Sequence, residues 1–71
     1  MAAPAEQWEE AQGVIRLHAR GILGVQGFAA LEADCLGGAV SAAQVARDLT
    51  RLRLQPGHQP RAAYLARWQQ D

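Results

Sequence analysis

One uncharged stretch of the chain, residues 21–31 (GILGVQGFAAL), constrains the fold more than any other feature. It is apolar and carries three evenly spaced glycines, Gly21, Gly24 and Gly27. In a chain of 71 residues, this stretch is expected to be either the buried centre of the fold or a surface that a partner covers. The glycines predict a loop or a helix stop near residue 21, because glycine adopts positive φ without steric cost.

The three glycines have two other possible roles. A phosphate-binding loop would need the pattern GxGxxG or GxxxxGK[ST] after a strand, and the spacing GxxGxxG matches neither pattern. Close contact between two helices across small residues stays open as the alternative to a loop.

A chain of this length has room for one small domain, whose stability is marginal. Cys35 is the only cysteine, so an intrachain disulfide is impossible and a structural zinc site is not expected. We predict no cofactor and no metal. Stability is then expected to come from helix packing or from association with another chain.

The N-terminal segment MAAPAEQWEE is acidic and has the pattern of neither a secretory signal nor a transit peptide. No apolar stretch approaches the length of a membrane span, so no membrane association is expected. A single thiol without a signal sequence fits the reducing cytoplasm, which is the predicted location.

Helical periodicity and the absence of alternating strand patterns predict an all-α fold, a small bundle of three to four short helices. The helices are predicted over four segments: Pro4 to Arg20, about Gln26 to Leu36, a third segment with Ser41 as N-cap that extends through Leu52, and Pro60 to about Gln70. Glycines 37 and 38 end the second helix, and residues 55–60 form a loop. The predicted core is Trp8, Ile15, Ile22, Phe28, Leu31, Val45, Leu49 and Leu52.

Residues that could carry catalysis are few. His18 lies on the apolar stripe of the first helix and is expected to be partly buried, whereas His58 is expected to be exposed in its loop. Cys35 lies between apolar neighbours, which is typical of a small hydrophobic residue and gives no reason for a lowered pKa. We therefore predict that the protein is not an enzyme.

Charge is divided unevenly along a chain whose formal net charge is zero. Residues 1–40 hold five acidic residues and two arginines, whereas residues 41–71 hold five arginines and two aspartates. All seven basic residues are arginine. The two halves are expected to attract each other, within the fold or across a dimer, and a homodimer or a subunit of a larger complex is the predicted assembly.

The C-terminal helix is predicted to be the least stable element alone and a principal part of a partner contact. It is about three turns long, too short to be stable alone in water, and it carries Trp, Tyr and Arg, the residue types enriched at interface hot spots. The predicted contact residues are Leu54, Arg61, Tyr64, Leu65, Arg67 and Trp68. Trp68→Ala is expected to weaken association by about 2 kcal/mol while most helical content survives.

The predicted function is a non-enzymatic protein–protein interaction module: an adaptor, a small chaperone-like or regulatory subunit, or an inhibitor. The alternative is a small helical DNA-binding regulator, with Arg47, Arg51, Arg53, Arg61 and Arg67 on phosphates. Residues 41–49 resemble the first helix of a helix-turn-helix motif, but no short glycine-containing turn follows them. The zero net charge also favours the protein-binding interpretation.

Overall fold

The computed structural model describes residues 2–69, and within them it is all-α without a strand. Helix α1 spans Pro4–Leu36, α2 spans Ala42–Arg53 and α3 spans Gln59–Leu65, and a single 3₁₀ turn follows at Ala66–Trp68. The prediction of a small all-α fold is confirmed.

Helix α1 is bent sharply at Gly24, whose φ of 71° and ψ of −174° are not helical. This backbone conformation is open essentially only to glycine. The bend divides α1 into a first arm, residues 4–23, and a second arm, residues 25–36, which folds back along the first. The ring centroids of Trp8 and Phe28 consequently lie 5.7 Å apart. The predicted break between two helices is correct, although the first arm continues past Arg20.

The second arm ends at Leu36, where the backbone N–H groups of the two following glycines bond back to carbonyls of the last turn. Ser41 then caps α2, because its hydroxyl oxygen accepts a hydrogen bond of 3.2 Å from the N–H of Gln44. The same hydroxyl donates to Oε1 of Gln7 at 3.0 Å. This contact fixes the start of α2 beside the start of the first arm, and the two helices run in the same direction.

Helix α3 and the 3₁₀ turn return across α2 and the second arm. The C-terminal helix was predicted to extend from Pro60 to about Gln70, but α3 ends at Leu65, where the 3₁₀ turn begins. Gln70 lies outside the described residues. Gly27 lets this segment approach, since a Cβ at residue 27 would lie 2.7 Å from the backbone oxygen of Trp68. The turn lies at Gly24, three residues after the predicted stop near residue 21, and the close approach at Gly27 is to the 3₁₀ turn and not to another helix.

The predicted core residues are buried, except that Ile22 is half-buried. His18 is buried, more fully than the partial burial expected, and His58 is exposed as expected. The face of α2 formed by Ala42, Val45, Leu49 and Leu52 packs inward. The core also contains residues that were not predicted to lie in it: Ala11, Ala19, Leu23, Cys35, Ala42, Leu65 and Trp68. In the described part of the chain, no helix has both the length and the apolar character needed to cross a bilayer.

Candidate protein-binding surface

An apolar groove of about 580 Å³ lies between the first arm and α2. Its floor and walls are Val14, Ala46, Thr50 and Leu54, and its rim carries Arg47 and Arg51. Leu54 is 86% exposed and Val14 37% exposed. Leu17, one turn after Val14 on the first arm, is 71% exposed and lines the neighbouring cleft that contains Arg61.

Two features of α2 make the groove apolar: the four-residue spacing of its lining residues and a hydrogen bond that satisfies the hydroxyl of Thr50 within the helix. Ala46, Thr50 and Leu54 follow each other at intervals of four and so lie on one side of α2. The hydroxyl of Thr50 donates to the carbonyl oxygen of Ala46 at 2.8 Å, so its polar group is satisfied within the helix. Of this set, only Leu54 was predicted from the sequence to lie on a binding surface. The four-residue spacing from residue 46 to residue 54 was the signal that could have found the rest.

The rim of the groove is basic. Nη2 of Arg47 donates to Oε1 of Gln44 at 2.9 Å, and Arg51 forms an exposed ion pair with Asp48 at 3.6 Å. The start of the first arm is acidic by contrast: Glu6, Glu9 and Glu10 are exposed, and none of them forms an ion pair with another described residue. Glu10, one turn before Val14, is the acidic residue of this group that lies on the same side of the first arm as the groove.

The six residues predicted to contact a partner do not form one surface. Leu54 lines the apolar groove, Arg61 lies in a separate cleft, and Tyr64 and Arg67 line a third depression beside Val45. The prediction of a partner contact is wrong for Leu65 and Trp68, because both side chains are buried in the chain's own core instead of lying on a surface.

Two hydrogen bonds to carboxylates hold the C-terminal segment in place. Nε1 of Trp68 donates to Oδ2 of Asp34 at 2.7 Å, and the hydroxyl of Tyr64 donates to Oδ2 of Asp48 at 2.8 Å. Burial and the neighbouring Asp48 raise the pKa of Tyr64 to about 12, and the bond from Tyr64 helps to lower the pKa of Asp48. These aromatic residues are therefore fixed to this chain by their polar atoms as well as by packing.

The arginines predicted as phosphate contacts are exposed, apart from the half-buried Arg61, but are not grouped as a uniform basic face. Arg47 and Arg51 line the rim of the groove, and Arg53 is near enough to His18 to affect its pKa. Arg51 is paired with Asp48, and Arg67 with Asp34 at 3.5 Å. Carboxylates thus compensate part of the charge that a phosphate backbone would require.

The structure gives no support to cysteine chemistry. Cys35 is buried, and burial followed by the charges of Asp34 and Glu32 raises its pKa to about 11. A thiol in this state is a poor nucleophile at neutral pH. Within residues 2–69, no three His, Cys, Asp or Glu side chains are grouped closely enough to hold a metal ion.

Comparison of the chain with protein-family models, with curated proteins and with solved structures finds no match.

Proposed function

We propose that the protein is a non-enzymatic interaction module that associates with a second copy of itself through the apolar groove. The observation that carries this proposal is the exposed apolar surface formed by Val14 and Leu54 beside the basic rim, with Leu17 exposed one turn after Val14. An apolar patch edged by charged residues is typical of a protein contact. The buried free thiol of Cys35 suits a reducing compartment, and we propose the cytoplasm as the site of action.

Charge and geometry favour a second copy as the occupant. A two-fold axis along the groove would lay the first arm of each copy on α2 of the other, so that Val14 and Leu17 face Thr50 and Leu54. Because Gln7 is hydrogen-bonded to Ser41, the first arm and α2 start level with each other. At a rise of about 1.5 Å per residue, Glu10 then lies within about 5 Å, along the axis, of the level of Arg47. The unpaired carboxylate of one copy would meet the basic rim of the other.

Sedimentation equilibrium of Leu54→Ser tests the apolar part of the contact. We expect the dissociation constant of the dimer to rise about tenfold or more, because the variant removes apolar area from the centre of the contact. Val25→Ser is the matched control, since Val25 is 70% exposed on the second arm and does not line the groove. Equal effects of the two variants would contradict the proposed surface.

Charge reversal tests the arrangement of the two copies. Glu10→Arg and Arg47→Glu are each expected to weaken association several-fold, and the double variant is expected to recover most of the loss, because the pair is restored with its signs exchanged. Failure of the double variant to recover would contradict the axis along the groove. A wild-type protein that stays monomeric at high micromolar concentration would contradict self-association altogether.

DNA binding is the second candidate function. It is favoured by Arg47 and Arg51, which are exposed one turn apart on α2, with Arg53 also exposed nearby in the sequence. This proposal predicts binding to duplex DNA that weakens steeply with salt and is lost when Arg47 and Arg51 are both changed to alanine. Dimerisation without any salt-dependent DNA binding would exclude it.

A further inference from the structure

A second depression, a cleft of about 320 Å³, lies where α1, the loop after α2 and the start of α3 meet. It is lined by Leu17, His18, Gly21, Ile22, His58 and Arg61. None of the lining residues is acidic, and no carboxylate of residues 2–69 lies within ion-pair distance of Arg61. A half-buried guanidinium without a carboxylate is unusual, because charged groups removed from water are normally paired.

Within residues 2–69, the side-chain partners of the Arg61 guanidinium are two imidazoles. Its Nη1 lies 3.4 Å from Nδ1 of His18, and its Nη2 lies 3.0 Å from Nδ1 of His58. Because a guanidinium only donates, each Nδ1 accepts, and each neutral ring carries its proton on Nε2. Nε of Arg61 is buried and has no hydrogen-bond partner in the described chain. The site therefore holds a guanidinium that lies between two imidazoles and has no carboxylate of residues 2–69 within ion-pair distance.

We propose that this cleft binds a small phosphate monoester. A guanidinium fork matches the geometry of phosphate oxygens, and the two neutral imidazoles beside it carry further N–H donors for the same oxygens. Leu17 and Ile22 provide an apolar wall beside these groups, which suits an ester whose organic part is apolar. The proposal does not rest on self-association through the apolar groove, although Leu17 is shared with the proposed dimer contact, so the binding experiment uses protein below the dissociation constant of the dimer.

The environment of His18 makes the binding measurable. The titratable and charged groups that face it are Arg61 on α3, Arg53 at the end of α2 and His58 in the loop between them. Burial, and then the charges of Arg61 and Arg53, lower the pKa of His18 below its usual value. A bound dianion opposes both positive charges, so the pKa of His18 should rise when the cleft is occupied.

The experiment is an NMR titration of the two imidazoles with phenyl phosphate, with sodium chloride at matched ionic strength as the reference. We expect saturable shifts of the His18 and His58 resonances and a raised pKa of His18. Arg61→Gln should weaken binding about tenfold or more, the effect of losing hydrogen bonds to a charged group. Arg16→Gln is the control, since Arg16 is an exposed arginine that does not line the cleft, and it should bind as the wild type does.

Three results would overturn the proposal. One is equal response of the histidines to chloride and to phenyl phosphate, and another is unchanged binding by Arg61→Gln. The third is binding of duplex DNA at the cleft without binding of phenyl phosphate, which would assign the phosphate chemistry to a nucleic acid. Arg61→Lys, which keeps the charge and loses the fork, should bind less tightly than the wild type. It also provides the test if Arg61→Gln does not fold.

Discussion

Helix α2 has two apolar flanks, and only one of them is covered. On the covered flank, Tyr64 and Trp68 lie over Val45 and reach carboxylates with their polar atoms. On the open flank, Ala46 and Leu54 border a groove that no segment among residues 2–69 fills. The two flanks differ in their hydrogen-bond acceptors. The covered flank offers the carboxylates of Asp34 and Asp48, which accept from the indole N–H of Trp68 and the hydroxyl of Tyr64, and we call these two hydrogen bonds the anchors.

These anchors explain why the C-terminal segment docks where it does. Apolar area alone would allow Trp68 to cover either flank, since the hydrophobic effect has no direction. A buried indole N–H without an acceptor would cost free energy, and Asp34 supplies the acceptor only on the covered side. The open flank has exposed arginines at its rim, which suit a partner that brings carboxylates.

Among substitutions on the covered flank, Trp68→Ala should cause the largest loss in the free energy of unfolding. Trp68 is 4% exposed in the core, so we expect a loss of about 3–5 kcal/mol in the free energy of unfolding, close to the whole stability of a small domain. Urea denaturation followed by circular dichroism measures it, with Trp68→Phe as a milder variant that keeps an aromatic ring. Near-native stability combined with weakened association would return Trp68 to the role of a partner-binding residue.

Gly27→Ala tests how closely the covered flank is packed. Its Cβ would lie 2.7 Å from a backbone oxygen, so the C-terminal segment must shift, at a cost of about 1–3 kcal/mol in stability. Gly13→Ala is the matched control, because no atom lies within 4 Å of a Cβ there and the residue is helical. Thermal unfolding should show the control stabilised by up to about 1 kcal/mol. Destabilisation of both variants alike would argue against a specific close contact at Gly27.

Tyr64→Phe isolates one anchor of the covered flank. Removing the hydroxyl leaves Asp48 without its shortest hydrogen bond, and we expect a loss of about 1 kcal/mol in stability. The pKa of Asp48 should rise toward its usual value, since the bond from Tyr64 is the largest cause of its lowered pKa. NMR titration of the carboxyl group measures the pKa, and an unchanged value in the variant would show that the hydroxyl is not its partner.

Leu54→Ser is expected to have the smallest effect on folding. Leu54 is almost fully exposed in a single chain, so the free energy of unfolding of the monomer should change by less than about 0.5 kcal/mol. Chemical denaturation at concentrations below the dissociation constant of the dimer measures this. A large loss of stability in the monomer would mean that the open flank is covered by this chain after all.

Local sequence is sufficient to specify the helices and half of the core, seven of the fourteen buried hydrophobic residues among residues 2–69. The periodic apolar residues, the serine at residue 41 and the glycines at residues 37 and 38 act through local backbone chemistry, which neighbouring residues in the sequence fully specify. The uncharged stretch at residues 21–31 correctly indicated where the chain turns, because a break in a helix requires a residue that tolerates positive φ.

Long-range packing, in contrast, selects which apolar residues remain exposed. Trp68 and Leu54 are both candidates for a surface in the sequence, and the fold buries one and exposes the other. The outcome depends on acceptors far away in the sequence, as with Asp34 for Trp68, and on the space that Gly27 leaves for the returning chain. The contact of Arg61 with His18 could not be predicted either, since residues 18 and 61 are brought together only by tertiary packing, which no local pattern encodes.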